Sequence, residues 1–524
     1  MCIKKLISIL LAVVMLLSSV SALAFASDTE KDIPIVCVHG YGANIYYPDG
    51  SVVYPPESNY DIGEHVKKVT PGILKELGKS LLTDNWDGYC DSLYDAIAQL
   101  YEGFPLDGNG EIANGSFVNT SHNEAVLRNP KQSDYHVCDF MFMYDWRKSP
   151  LEVADELNAY INTLLDKTGH SKVGLVGRCL GSAVVSAYIA KYGTAKVDSL
   201  VYYVPTVNGG VETVNALFTG DVQLEPTSLD RFVNYYVNRK GISGDEIMDD
   251  FIVALFSLLT YCKVLPAAED AVETIYAKVK TNVVPRLLLA CYGGLPSFWS
   301  MLNSEYYEDA KAFVFKGRED EYAGFIKKID KFNYSVKEKL PEMLKNFENE
   351  GGRVAVIAKY GFNAPPISQT PNIQSDAMVA TKNLSFGATC SNINKKLPES
   401  YIERAVLAGT DQYISADKKI DASTCLFPDT TWFIKNIPHS DFPADTNNLM
   451  QTFIQSRGRI TVRDYENWPQ YMKYDMKTGE ISAVTEDTNE DSRWTNNIIQ
   501  AFIKFLTSLF RVFIKLLSQP AKAE

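Results

Sequence analysis

The chain has 524 residues, of which 46% are hydrophobic and 22% are charged. This composition is that of a globular protein and excludes a disordered or fibrous chain, and the length predicts a large core with insertions. The net charge of −13 at pH 7 argues against general nucleic-acid binding, which needs a basic surface.

The first 26 residues have the pattern of a secretory signal peptide. Lys4 and Lys5 precede an apolar run over 6–17, and Ala-Phe-Ala at 24–26 matches the small-x-small cleavage pattern. We predict cleavage after Ala26 and a secreted, extracytoplasmic protein. An uncleaved membrane helix is the alternative.

Strands and helices alternate in the first and last parts of the mature chain, 32–205 and 353–470. Helices are predicted over 151–165 and from the turn at 177–181 to Tyr192. The apolar runs that predict strands lie at 33–38, 137–144, 172–176, 199–204, 353–360 and 432–434. This alternation predicts an α/β fold with a mostly parallel sheet flanked by helices.

Between these parts, at 206–352, the alternation stops. The segment has a mostly helical pattern, with apolar stretches such as 251–256 and aromatic residues such as Trp299. We predict a large helical cap or lid over the carboxyl edge of the sheet, with an independent helical domain as the alternative. The polar, acidic residues 471–493 predict a linker.

The sequence Gly177-Arg178-Cys179-Leu180-Gly181 follows a predicted buried strand and opens a helix. It matches the G-x-S-x-G nucleophile elbow of α/β-hydrolases, with Cys in place of Ser. Small residues two positions before and after the nucleophile allow the strained turn, and the start of a helix favours a thiolate. The pattern predicts Cys179 as the nucleophile, and an inert buried thiol in a Gly-rich turn is the alternative.

An elbow nucleophile needs two backbone donors for the oxyanion. One is expected from Leu180, the residue after the nucleophile, and the other from the loop that follows the first strand. In that loop Tyr41 is the first choice and Gly42 the alternate, and His39 is interpreted as a structural residue.

The acid and the base should follow the nucleophile along the chain. His439 is the one histidine after Cys179, which predicts it as the base. For the acid, Asp376 fits best because it follows the strand at 353–360; Asp411 is second and Asp441 third.

These motifs together resemble the lecithin:cholesterol acyltransferase family. The resemblance covers most of 33–445 and is carried by His39-Gly40, Tyr144-Asp145-Trp146-Arg147, the elbow, Gly209-Gly210 and Ser375-Asp376-x-x-Val379. It implies an α/β-hydrolase core with a lid, acting on lipid acyl esters, with transfer to water or to an acceptor alcohol. Asp376 and His439 take the positions of the family's acid and base, whereas the family's nucleophile is Ser and not Cys.

We therefore predict an exported lipid acyl hydrolase or O-acyltransferase with a Cys-His-Asp triad and a covalent acyl-enzyme. The reaction requires no metal or cofactor, and none of the cysteines forms the Cys-x-x-Cys pair typical of zinc sites. The alternative is a non-catalytic lipid or cell-surface binding protein on a decayed hydrolase. Oligomeric state and disulfide pairing do not follow from the sequence.

The last part of the chain, 494–518, has the pattern of an amphipathic helix. On a helical projection Lys504, Arg511 and Lys515 form one stripe, and the opposite face is apolar. This arrangement predicts a helix that lies in a membrane interface with its cations toward anionic head groups. A helix packed on the cap or on a second copy is the alternative.

Overall fold

The computed structural model describes residues 32–486, except for 59–60, 131–134, 138, 224–228, 231, 234–252, 256, 261, 457, 459 and 477. The predicted signal peptide (1–26) and the predicted C-terminal helix (494–518) lie outside the described residues. Within these ranges no helix has both the length and the apolar character needed to cross a membrane.

The described strands form one large sheet and two small ones. They are β1 (Ile35–Val38), β2 (Ile45–Tyr46), β3 (Val52–Tyr54), β4 (Phe117–Val118), β5 (Phe140–Phe142), β6 (Val173–Arg178), β7 (Val197–Tyr203), β8 (Arg353–Tyr360), β9 (Thr389–Cys390), β10 (Ile420–Asp421), β11 (Thr431–Lys435), β12 (Tyr471–Tyr474) and β13 (Ile481–Ala483). The large sheet has eight strands in the order β13-β12-β11-β8-β7-β6-β1-β5, and β2–β4 and β9–β10 form the small sheets.

All neighbours in the large sheet are parallel except β12 and β13. Its central strands are apolar along their whole length because helices cover both faces of such a sheet. Every residue of Ile35–Val38 is fully buried, for example. The predicted α/β fold is therefore confirmed.

Fourteen α-helices are described. They are α1 (Ile62–Thr83), α2 (Asp87–Ala98), α3 (Ser121–Arg128), α4 (Pro150–Thr168), α5 (Gly181–Tyr192), α6 (Glu212–Thr219), α7 (Val264–Ala290), α8 (Pro296–Trp299), α9 (Tyr307–Val314), α10 (Ala323–Phe332), α11 (Leu340–Asn349), α12 (Thr381–Leu384), α13 (Glu399–Ala408) and α14 (Ala444–Gln455). Helices α4 and α5 pack against each other beside the sheet.

The helices α6–α11 lie in the chain between β7 and β8. They enclose a small aromatic core, in which the Trp299 ring lies 5.1 Å from Phe218 and 5.2 Å from Phe315. This helical segment also contacts the region before the elbow, because Arg286 binds Asp91 at 2.7 Å. The large helical insertion predicted at 206–352 thus packs against α2.

The interpretation of 471–493 as a linker is wrong for its first half. Strand β12 pairs with β11, and β13 pairs with β12, so the sheet continues to Ala483. These edge strands need few apolar residues because they bury little of their surface, and Met472 alone among the residues of β12 is fully buried. A polar composition therefore did not exclude strands here.

Candidate active site

The turn between β6 and α5 holds Cys179 in a left-handed backbone conformation, with φ of 50°. A residue with a side chain rarely adopts this conformation, so the surrounding packing must support it. A Cβ atom on Gly177 would lie 2.9 Å from the Ser182 Cα, and one on Gly181 would lie 2.2 Å from the Val38 oxygen. Both glycines are therefore required by close backbone approach, as the elbow pattern predicts.

The loop after β1 passes directly beside the Cys179 side chain. A Cβ atom on Gly40 would lie 3.0 Å from the Cys179 Cβ and 3.4 Å from its Sγ. The backbone N–H groups of Tyr41 and Leu180 make no hydrogen bond within the described residues. Two free donors thus flank the thiol, on the two segments expected to form an oxyanion hole.

Two side chains of the Tyr-Asp-Trp-Arg motif fix this loop. The Tyr144 hydroxyl donates to the His39 oxygen at 2.8 Å, and the Trp146 indole N–H donates to the Ala43 oxygen at 2.9 Å. Burial, the charge of a Cys179 thiolate and Tyr54 raise the pKa of Tyr41 to about 12, so its phenol stays protonated. This role of the motif was not predicted from the sequence, although its aromatic residues were a signal for it.

The structure brings Asp376 and His439 into contact. The His439 Nδ1 lies 2.6 Å from the Asp376 Oδ2, and the His439 backbone N–H donates to the Asp376 oxygen at 2.8 Å. The other carboxylate oxygen accepts the N–H groups of Met378, at 3.1 Å, and Val379, at 2.8 Å. Asp376 is fully buried, so these contacts fix the position of its carboxylate.

The electrostatics of this pair favour an imidazolium. Burial lowers the pKa of His439, but the charge of Asp376 and that of a Cys179 thiolate outweigh burial and raise the pKa to about 10. The second ring nitrogen, Nε2, is buried and makes no hydrogen bond of standard geometry to a described residue. The contact of Nδ1 with Asp376 therefore fixes the orientation of the ring, as expected for the acid and base of a triad.

The other two acid candidates are not paired with His439 in this way. Asp411 is exposed at the start of a short 3-10 turn, Asp411–Tyr413. Asp441 lies two residues after His439, and its carboxylate accepts the Ser440 hydroxyl at 3.2 Å. Of the three candidates, Asp376 is the one that this geometry suits to orient the base.

A role for Lys359 of β8 was also not predicted from the sequence. This lysine is fully buried, and its ammonium donates to backbone oxygens of the loop that carries His439. A lysine near the end of the apolar run 353–360 was the available signal, because a strand in the middle of a parallel sheet rarely carries a charge without a specific partner.

One comparison with known proteins gives a family match. The family model described as lecithin:cholesterol acyltransferase matches residues 136–381, a range that includes Cys179 and Asp376. No curated protein matches the chain. A solved structure titled "The crystal structure of Tle4-Tli4 complex" matches with 15% identity and a TM-score of 0.19, over 35% of this chain and about half, 48%, of that chain.

The family match agrees with the parallel sheet and the elbow, and it indicates an acyltransferase or hydrolase of the α/β-hydrolase type. Residues 136–381 of the chain are thus similar to the lecithin:cholesterol acyltransferase family.

Proposed function

We propose that this chain is an exported lipid acyl hydrolase or O-acyltransferase that forms a covalent acyl-enzyme on Cys179. The observation that carries the proposal is the buried His439–Asp376 pair beside a thiol on a strained elbow. A structural thiol needs neither a strained backbone nor an oriented imidazole. The family match supports lipid acyl esters as the substrate class.

In the first half of the reaction, His439 holds the proton of the Cys179 thiol. The thiolate attacks the acyl carbonyl, and the N–H groups of Tyr41 and Leu180 stabilise the oxyanion, an effect worth about 3 kcal/mol per donor in related chemistry. His439 then gives its proton to the leaving alcohol, which leaves the acyl group on Cys179 as a thioester.

In the second half, a water molecule or an acceptor alcohol attacks the thioester. His439 takes the proton of the attacking hydroxyl, and the thiolate leaves as the new acid or ester forms. Asp376 keeps the ring oriented and stabilises the imidazolium in both halves. These steps use side chains and backbone groups of the chain alone.

The thiol chemistry can be tested with iodoacetamide at neutral pH. We expect Cys179 to be alkylated much faster than a free thiol, and we expect His439→Gln to remove this advantage. Alkylation of Cys179 at the rate of a free thiol would instead favour a non-catalytic binding protein. Phospholipids, p-nitrophenyl esters and thioesters offered to the purified protein would then define the acyl donor.

We further propose that the mature protein is extracytoplasmic and binds membrane surfaces through 494–518. The stripe of Lys504, Arg511 and Lys515 beside an apolar face supports this proposal. We expect the mature protein to sediment with anionic liposomes, and we expect substitution of all three cations by Glu to abolish sedimentation. A matched control replaces the exposed Lys316, Lys395 and Lys396 by Glu. Equal loss in both variants would overturn the membrane helix.

A further inference from the structure

The buried lysine of β8 donates hydrogen bonds to the loop that carries the predicted base. The Lys359 Nζ donates to the Pro438 oxygen at 3.0 Å, to the His439 oxygen at 3.0 Å and to the Asp441 oxygen at 2.6 Å. An ammonium has three donors and no acceptor, so each N–H has one carbonyl partner. The side chain is fully buried, so water does not compete for these bonds.

Two aromatic rings also lie beside the Lys359 ammonium. Its Nζ lies 5.3 Å from the ring centre of Tyr203 and 4.7 Å from that of Phe442, both favourable distances for a cation. Its own backbone oxygen accepts the Thr381 hydroxyl at 2.9 Å, which ties β8 to the start of α12. Lys359 thus connects the strand before the Asp376 turn to the loop that carries His439.

We propose that Lys359 is a positioning residue, whose ammonium holds the loop 438–441 and thereby keeps the His439 ring aligned between Asp376 and Cys179. This inference rests on the proposed function of the triad. Lys359 touches the loop backbone and not the reacting atoms. Its effect is therefore expected on kcat, through the alignment of the base, and not on KM.

The same contacts make the alignment depend on pH. Burial lowers the pKa of Lys359 to about 7, against the opposing charges of Asp376, Asp441 and Cys179 and with the help of Arg178. A neutral amine has two donors and turns a lone pair toward the third carbonyl. The hold on the loop therefore weakens as pH rises through neutrality, well below the pKa of His439, which is raised to about 10.

The test compares the wild type with Lys359→Met, using hydrolysis of p-nitrophenyl butyrate between pH 5 and pH 9. We expect Lys359→Met to lower kcat about tenfold or more, with little change in KM, because small misalignments of catalytic groups have effects of this size. We also expect kcat of the wild type to fall through a step near pH 7. That step should be absent from the variant.

Lys337 provides a matched control. It is buried, donates to the Ser300 oxygen at 3.0 Å and to the Leu302 oxygen, and its pKa is also lowered to about 7 by burial. It lies in the insertion, and Lys337→Met should keep both kcat and the step near pH 7. If the step near pH 7 is lost in both variants, it does not report on Lys359 specifically, and the proposal is overturned.

Iodoacetamide separates failure of this inference from failure of the proposed function. If the wild type is alkylated at Cys179 no faster than a free thiol, the triad itself is wrong. If the wild type reacts fast and Lys359→Met has the same kcat, the positioning role is overturned while the triad stands. A wild type without a step near pH 7 also overturns it, and this measurement needs no variant that must fold.

Discussion

The elbow and the acid–base loops place their reacting groups by different physical means. In the elbow, 177–181, the position of Cys179 follows from local sterics, because Gly177 and Gly181 lie where no side chain fits. In the loops 375–379 and 436–441, positions follow from hydrogen bonds between segments far apart in sequence, such as those of His439 with Asp376 and with Lys359.

The two regions are therefore expected to be sensitive to different kinds of substitution. The elbow requires glycine at positions where a side chain would clash with the backbone, so an added methyl group there should distort the turn. The acid–base loops are defined by polar partners, so a substitution that keeps shape and changes hydrogen bonding should damage them. Cys179, the proposed nucleophile, is the side chain at which the two regions meet.

The largest expected effect is that of Cys179→Ala, which removes the point where the two regions meet. We expect complete loss of covalent acyl-enzyme, because no other nucleophile stands at the elbow, and Ser182 is buried with its hydroxyl donating to the Cys179 oxygen at 2.5 Å. Intact-protein mass spectrometry after a short pulse of p-nitrophenyl butyrate measures the adduct.

The matched control for that experiment is Cys291→Ala. The Cys291 thiol has its pKa raised to about 11 by burial and donates to the Leu287 oxygen at 2.8 Å, so it is not a nucleophile at neutral pH. The adduct should persist in this variant. An adduct that survives Cys179→Ala would show that the nucleophile lies elsewhere.

The acid–base loops are tested next by Asp376→Asn. This change keeps the shape and removes the charge that orients His439, so we expect kcat to fall about 100-fold or more. Asp411→Asn and Asp441→Asn should change kcat little, because Asp411 is exposed and the Asp441 carboxylate accepts the Ser440 hydroxyl. Steady-state kinetics with one ester substrate rank the three variants, and a larger loss in Asp411→Asn would reassign the acid.

The elbow is tested by Gly181→Ala. The new Cβ would lie 2.2 Å from the Val38 oxygen and 2.6 Å from the His39 oxygen, so β1 and α5 must separate. We expect a loss of about 1–3 kcal/mol in the free energy of unfolding, the usual range for overpacking, together with reduced activity.

Gly78→Ala is the control for that steric argument. Gly78 lies within α1 with open space around it, so alanine there should leave activity unchanged and stabilise the helix by about 0.5–1 kcal/mol. Equal stability of the two alanine variants would contradict the account of the elbow as a site of close backbone approach.

The difference between the regions also explains what could be predicted from the sequence. The elbow was found from five consecutive residues because steric demands are local. The apolar runs predict the central strands because burial on both faces of the sheet is also visible in a few consecutive residues. Strand β8 was predicted with the bounds Arg353–Tyr360 that the structure has. The contact of Asp376 with His439 was reached only through chain order and the family resemblance.

What was missed depends on contacts between distant segments. The role of Lys359 requires knowledge that 438–441 lies against β8, which no local pattern contains. Strands β12 and β13 were missed because edge strands can be polar, so their pairing with β11 decides their structure. Polar contacts between distant segments are thus the part of this site that is hardest to predict from the sequence.

The smallest expected effect concerns the pH dependence of stability, where His439 and Lys359, the β8 residue that holds its loop, oppose each other. The pKa of His439 is raised from 6.5 to about 10, so its contribution to stability is complete below pH 6.5 and is lost as pH rises toward 10. The pKa of Lys359 is lowered from 10.5 to about 7, so between these values the unfolded chain binds the extra proton and stability rises with pH.

Between pH 7 and pH 10 the two contributions have opposite signs, and the free energy of unfolding of the wild type should change little. His439→Gln removes the falling contribution, so the stability of this variant should rise with pH over the same window. Lys359→Met removes the rising contribution, so the stability of this variant should fall with pH.

Urea unfolding at four or five pH values measures how the free energy of unfolding changes with pH in all three proteins. Equal slopes in the three proteins would mean that the two protons are not bound as the structure indicates. Opposite slopes would place one of the two charges on the loop that carries His439 and the other on the strand β8 that holds this loop.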